Sequence, residues 1–257
     1  GAIDTAVATK LDAQATGGNI YIDETASLAL GRIEAGTAAD RKDITLTAGG
    51  AITDNNSEVK ADDSEEENLV GGAISLTAGG SIGAAGDGDI DTQVDSLDAS
   101  ADGDIFIDET DALDLGRIVA VTNPGGSNEQ RHAITIEAGS AGVAGGLTDK
   151  TPDDDSEENL VGGAVRLTAV GGAIGAADAT DIDTKVDSLD ASAGGDIFID
   201  ETDDLALGQI VAGTDADRKN ITLTAGGAIT DGNSETKADD SEEENLVGGN
   251  ISLTAGG

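Results

Sequence analysis

Apolar and polar residues alternate in short runs that return along the whole chain. Ile44-Thr45-Leu46-Thr47-Ala48 shows the pattern plainly: the aliphatic residues point one way and the two threonines the other. Period-two alternation rich in β-branched residues is the signature of a strand with one buried face. Such runs begin at Ile20, Ile44, Ile74, Ile105, Ile134, Val165, Ile197, Ile221 and Ile251, at intervals of 24 to 32 residues. Most lead into a glycine corner and a second short apolar segment, as in Gly49-Gly50-Ala51-Ile52, Gly79-Gly80-Ser81-Ile82 and Leu28-Ala29-Leu30-Gly31-Arg32-Ile33. A third segment, Val94-Asp95-Ser96-Leu97 or Asn68-Leu69-Val70, precedes the next run. No stretch carries a helical period. Three short strands per turn, with no room for a crossover helix, predict an all-β chain wound as a parallel β-helix, a solenoid. Nine turns spaced about 4.8 Å apart make a rod roughly 43 Å long.

A longer period lies over the short one. Gly103-Asp104-Ile105-Phe106-Ile107-Asp108-Glu109-Thr110 returns at Gly195 to Thr202, with a looser copy at Gly18 to Thr25, at steps of 85 and 92 residues. Asn68-Leu69-Val70-Gly71-Gly72 recurs at Asn159 and Asn245. Each long unit therefore holds about three coils. Residues 1–257 read as a single array divided into a partial unit 1–80, a unit 81–172 and a partial unit 173–257. Gly1 to Thr5 match Gly88 to Thr92 in mid-unit, and Ile251 to Gly257 match Ile74 to Gly80. The expectation is a section cut from a longer tandem array. Units of this kind stack and share one continuous core instead of enclosing one pocket.

The runs Ile44-Thr45-Leu46-Thr47-Ala48-Gly49-Gly50-Ala51-Ile52 and Ile74-Ser75-Leu76-Thr77-Ala78-Gly79-Gly80-Ser81-Ile82 resemble repeats of filamentous-haemagglutinin-like proteins, the giant repeat adhesins of bacterial surfaces. The resemblance covers the chain at the level of turns. It implies a right-handed β-helical shaft exported to the cell exterior, extracellular or at the cell surface, for adhesion or surface structure. Turns that vary in length and group in threes depart from the simplest repeats of that type.

Composition sharpens this picture. There are 38 glycines, one tyrosine, two phenylalanines and no tryptophan, methionine or cysteine, so small aliphatic side chains must fill the interior. A narrow core suits them. Absence of cysteine removes disulfides and thiolate metal sites. The 52 acidic and 13 basic residues give a formal charge of −39, which repels nucleic acid and anionic membranes and attracts cations. No apolar run approaches the roughly 20 residues that span a bilayer, so membrane insertion is not expected.

Acidic runs are the first candidate site. Asp62-Asp63-Ser64-Glu65-Glu66-Glu67 recurs as Asp153-Asp154-Asp155-Ser156-Glu157-Glu158 and Asp239-Asp240-Ser241-Glu242-Glu243-Glu244. Calcium prefers several carboxylate and carbonyl oxygens in a flexible loop. Asp62, Asp63, Glu65, Glu66, Asp153, Asp154, Asp155, Asp239, Asp240 and Glu242 are its candidate ligands, and a solvated insertion that keeps the rod apart from its neighbours is the competing account. Asp89 and Asp91 form a weaker cation candidate in Asp87-Gly88-Asp89-Ile90-Asp91. That stretch opens like an EF-hand loop but has Thr92 where the loop needs glycine and Asp98 at its twelfth position.

Tyr21, Phe106 and Phe198 occupy one slot between two isoleucines, facing outward if the isoleucines face in. Two readings stand: a lateral seam for a second rod or a partner, with rings every third turn, or a ring covered locally by a loop such as Asp200 to Asp204. The outward threonines do not form an ice-binding ladder, because Phe106, Asp108, Glu137 and Arg166 interrupt it. His132, the only histidine, has no counterpart in the other copies and is expected at the surface beside Arg131.

The expected function is therefore non-enzymatic: a stiff adhesin stalk or an extracellular filament or sheath within a large exported protein. It requires no cofactor, with calcium as the one candidate ligand. Its expected partners are further copies, end to end or laterally, and a cell-surface or matrix component. A calcium-dependent adhesive module and a carbohydrate-active β-helix enzyme are the alternatives, the second demanding one non-repeating acidic cleft.

Overall fold

The computed structural model describes residues 1–7, 9–56, 66–140, 142–150, 157–177, 180–233 and 244–257. Among them every regular element is a strand, 24 in all, and none is a helix. Nearly all strand pairs are parallel. Antiparallel pairing is confined to tight reversals such as Gly36–Thr37 against Asp40–Arg41 and Gly213–Thr214 against Asp217–Arg218.

The parallel pairs fall into two ladders, and the chain passes from one to the other in alternation. Rungs of the first are Ile3–Thr5, Ile20–Glu24, Ile44–Ala48, 74–78, 97–101 and 113–120. They continue through 147–149 with 160–161, 174 with 182–184, Ile197–Glu201, Ile221–Ala225 and Ile251–Ala255. The second ladder starts at Leu11–Ala15 and 28–35, followed by 52–54 with 69–70 and by 82 with 90–92. Ile105–Glu109, 134–138, 165–169, 189–193, 205–212 and 229–231 with 246–247 complete it. Long strands make the bends: Ile90–Ala101 starts in the second ladder and ends in the first.

Register explains why the short alternating runs suffice. Ile20 pairs with Ile44, Ile44 with Ile74, and Ile74 with Leu97, while Ile22, Leu46, Leu76 and Ala99 form the next file. Like side chains thus stack on like. Alternate residues turn inward, as Ile44, Leu46 and Ala48 do with exposures of 2% or less. The buried aliphatics make one continuous cluster from Ile20 to Ala225, without an aromatic residue. Full burial of each Leu or Ile is worth about 1.5–3 kcal/mol. A thin interior of such residues replaces the aromatic bulk of a rounded core.

Here the structure corrects the count of strands. The sequence pattern predicts about three coils per long unit with three strands in each, whereas the strands fall into two ladders, and the less regular segments 97–101 and 189–193 are full rungs too. Between Ile20–Glu24 and Ile105–Glu109 the chain changes ladder seven times, and again seven times before Ile197–Glu201. Seven is odd. Equivalent strands of successive units therefore lie in opposite ladders, and three units do not line up on one side.

Two glycine positions are dictated by close approach. Gly31, Gly116 and Gly208 sit at a register shift, where a Cβ would lie 2.0, 2.1 and 2.2 Å from Oδ1 of Asp12, Asp98 and Asp190. Each of those carboxylates accepts the next backbone N–H, from Arg32 (3.0 Å), Arg117 (3.0 Å) and Gln209 (2.7 Å). Gly83 and Gly175 have φ of 68° and 65°, and a Cβ there would meet the carbonyl oxygen of Phe106 or Phe198. Gly116→Ala must displace the Asp98 carboxylate and lose its bond to Arg117; the expected cost is about 1–3 kcal/mol, read as a lower urea midpoint.

Candidate functional site

The acidic runs leave the sheet from defined roots. Ile52–Asp54 and Leu69–Val70 lie in one rung, both paired with the strand Leu28–Thr37, so the chain departs from that rung after Asp54 and rejoins it at Leu69. Residues 150–159 leave in the same way from the rung 147–161, and 232–245 from the rung 229–247. Asp62, Asp63, Glu65, Asp153, Asp154, Asp155, Asp239, Asp240 and Glu242 lie outside the described residues. Glu66 is described and exposed. Because equivalent rungs alternate, the first and third excursions leave the second ladder and the middle one leaves the first.

An asparagine closes each root. Asn68 is fully buried, and its amide nitrogen donates to Oδ1 of Asp54 at 2.7 Å and to the carbonyl of Gly31 at 3.3 Å. Its side-chain oxygen accepts the N–H of Asp91 at 3.0 Å. Asn159 repeats this with Asp149 (2.8 Å), the Leu115 carbonyl (3.3 Å) and the N–H of Asp183 (2.9 Å). Asn245 donates to Asp231 (3.1 Å) and to the carbonyls of Leu207 and Gly208 (both 3.0 Å). Asn68 and Asn159 thus each tie three rungs, and Asn245 two, pinning the point where the charged segment returns. A planar amide, with two donors and one acceptor oxygen, fits this place and a carboxylate does not.

A second polar feature lies in the core. Glu24, Glu109 and Glu201 are 1%, 0% and 0% exposed, at the inward end of each aromatic-bearing strand. Glu109 Oε2 stands 2.8 Å from the Thr92 hydroxyl and 3.1 Å from the Val94 N–H, while Oε1 accepts from Asp111 at 3.3 Å. Burial pushes its pKa up to about 8 despite these donors, which favour the carboxylate. Glu201, held alike by Thr184 (2.8 Å), Val186 (3.0 Å) and Asp203 (3.1 Å), is pushed up by burial to about 7. The neutral acid also fits: its proton can go to Thr92 Oγ1, whose own hydrogen then reaches the Asp108 carbonyl at 3.3 Å. Glu24 differs. It lies under the first strand alone, and the N–H of Val7, at 2.7 Å, holds its pKa below the usual glutamate value.

The isoleucines flanking the aromatic residues are buried and the rings turn outward, as the alternation requires. They do not form one column: Tyr21 and Phe198 are in the first ladder and Phe106 in the second. Tyr21 is 45% exposed and its hydroxyl accepts from Asn19 at 3.1 Å, whereas Phe106 and Phe198 are half-buried. Beside Phe106 the neighbouring rung is interrupted by the turn 83–89, and Phe106 N–H bonds the Ile82 carbonyl at 2.8 Å. Asp89 and Asp91 lie on the return of that turn, with Asp91 paired to Asp108. Among the described residues no group of three or more His, Cys, Asp or Glu is placed to hold a metal ion.

His132 is half-buried; its Nε2 stands 2.8 Å from Thr122 Oγ1, and that hydroxyl donates to the Asp102 carbonyl at 2.7 Å. An open groove of about 490 Å³ surrounds Arg41, lined by Asp95, Asp111 and Asp114. Arg41 meets Asp95 at 3.0 Å and Asp111 at 3.9 Å. Arg131 repeats the arrangement with Asp187 at 3.1 Å and Asp203 at 3.8 Å, so the groove belongs to the repeat. Partly exposed pairs of this kind are worth roughly 0–1 kcal/mol each.

Sequence reasoning passed over the buried glutamates, the root asparagines and the Asp12, Asp98 and Asp190 bonds. A signal for the first was present: Ile105, Ile107 and Glu109 share one parity, so a strand that buries its isoleucines must bury the glutamate. No protein-family model, curated protein or solved structure matches the chain.

Two measurements probe these polar anchors. Asn159→Ala leaves Asp183 N–H and Asp149 without their buried partner, and should lower stability by about 1–3 kcal/mol in urea unfolding. For Glu109 and Glu201 the folded pKa values, about 8 and about 7, lie above the ordinary 4.5. The folded state then holds the proton more tightly, so the favourable contribution is complete below pH 4.5 and is lost as pH rises through 7 to 8. The melting temperature of the native chain should fall over that window more steeply than that of a Glu109→Gln, Glu201→Gln double variant. Parallel pH profiles would refute the assignment.

Proposed function

We propose that the two ladders are the walls of a right-handed parallel β-helix, and that the chain is a non-enzymatic, load-bearing segment of a large exported surface protein, as an adhesin stalk or an extracellular filament or sheath. The observation that carries this reading is the continuous succession of parallel pairings from Ile3–Thr5 to Ile251–Ala255, lined by one continuous aliphatic cluster. Parallel strands joined through short bends support a right-handed path. Rungs about 4.8 Å apart make a shaft of roughly 50 Å.

Its mechanics follow from local bonding. Each internal rung is held by backbone hydrogen bonds to both neighbours, and the strongly acidic composition keeps shafts dispersed and responsive to cations. The chemistry that repeats, carboxylates and an arginine in the same arrangement, suits a scaffold whose surface is presented many times. The resemblance of the Ile-Thr-Leu-Thr-Ala-Gly-Gly runs to haemagglutinin-like repeats supports export and a place at the cell surface.

Small-angle X-ray scattering on the monomer checks the winding. The expected particle is a rod with a single small cross-sectional radius and a maximum dimension set by a roughly 50 Å shaft. A spherical particle would overturn the proposal.

A further inference from the structure

We propose that Arg166, Asp190 and Gln209 form a binding site for one neutral sugar unit on the outer face of three adjacent rungs. The site goes beyond the shaft reading and needs neither export nor the winding. It needs only the paired strands Leu160–Ala169, Ile182–Ala193 and Leu205–Thr214. Between the three side chains lies a depression of about 180 Å³, which Thr168, Ser192 and Val211 also line. Arg166 stands in register with Asp190, and Ser192 in register with Thr168 on one side and Val211 on the other. Rungs about 4.8 Å apart, with alternate residues about 6.6 Å apart, make this lining roughly 10 Å by 7 Å, the footprint of one pyranose ring.

One unit earlier the same place is built differently. Ser75 stands in register with Asp98, as Arg166 does with Asp190, and Arg117 gives its N–H to Asp98 as Gln209 does to Asp190. The second oxygen of Asp98 is held by Lys150 at 2.6 Å. Lys150 N–H bonds the Leu115 carbonyl at 2.9 Å, and the equivalent bond, to the Leu207 carbonyl at 2.7 Å, comes from Gly232. Asp12 too has a lysine, Lys10, at 3.3 Å. Among the described residues Asp190 has neither a lysine nor any other ion-pair partner, and Arg166, its direct neighbour, makes no ion pair. Three exchanges therefore coincide. Glycine in place of Lys150 removes a cation and its bulk, arginine in place of Ser75 supplies donors across the gap, and glutamine in place of Arg117 supplies an uncharged amide.

The chemistry of the lining selects the ligand. A guanidinium offers paired donors, a carboxylate oxygen accepts, and the glutamine amide and two hydroxyls do both, a set that suits neighbouring ring hydroxyls. Half-buried Val211 provides an apolar contact for ring C–H groups. An anion is opposed by Asp190 at the centre and by the formal charge of −39, and a cation is opposed by Arg166. A neutral polyhydroxyl compound meets neither obstacle. Glycoside cleavage takes two carboxylates, and Asp190 is the one that lines the depression, so the site binds without cutting.

The earlier unit supplies an internal control. Amide spectra of the nitrogen-15-labelled chain would be followed while D-glucose, D-galactose, D-mannose or N-acetyl-D-glucosamine is added to about 50 mM, enough to fill a shallow site of millimolar affinity. At least one sugar should shift the amides of 166–168, 190–192 and 209–211 saturably and leave those of 75–77, 98–100 and 117–119 in place. Gly232→Lys restores the arrangement of Lys150, and Arg166→Ser that of Ser75. Both are compatible with the fold, since the earlier unit carries them, and each should weaken binding about tenfold or more. No saturable shift with any of the four sugars, equal shifts at both places, or unchanged binding in both variants would overturn the proposal. Glycine and acetate are titrated in parallel; saturation by either as tight as by the best sugar would overturn the assignment of a neutral ligand.

Discussion

Everything in this molecule depends on parallel register being kept from rung to rung. A parallel ladder gives each strand the same neighbours above and below, so one side chain faces its own kind across successive rungs. That arrangement lets isoleucine, leucine and alanine fill the interior without aromatic residues, because no position must span a wide core. It also makes a one-residue slip costly, since a slip turns the whole inward file out to solvent. The glycines at 31, 116 and 208 show how closely the constraint binds, because they absorb a register shift under a carboxylate that occupies the space of a side chain.

Polar groups in the interior are tolerated where they repair what breaks in the ladders leave unpaired. Wherever a segment leaves a rung and returns to it, backbone groups at the root lose their ladder partners. Asn68 and Asn159 replace those partners from within the core. Glu109 and Glu201 do the same for backbone N–H groups at a bend, at the cost of desolvating an acid. The two solutions differ in sensitivity: the amide is indifferent to pH, and the buried acid is not.

Much of the fold could be read from parity alone. The alternation around Ile44 and Ile105 assigned strand, buried face and outward rings. The parallel pairing followed from turns too short for a helix. What escaped was the number of rungs, because Leu97-Asp98-Ala99-Ser100-Ala101 replaces isoleucine and threonine with residues of weak strand preference and takes its place through its neighbours. Missing that rung hid the odd number of ladder changes, and with it the separation of Phe106 from Tyr21 and Phe198. The root asparagines escaped for a different reason: their partners Gly31, Asp54 and Asp91 are distant in sequence and meet only once the rungs are stacked.

The odd count governs how such shafts would lie together in bulk. In the winding we propose, attachment points of successive acidic segments emerge on alternate flanks, so any one flank carries a tuft only every second unit. Seven revolutions separate tufts on the same flank, a gap of roughly 34 Å. That is several times the screening length of about 8 Å at physiological ionic strength. The roots on one flank therefore stand several screening lengths apart, and the two flanks carry them half a period out of step.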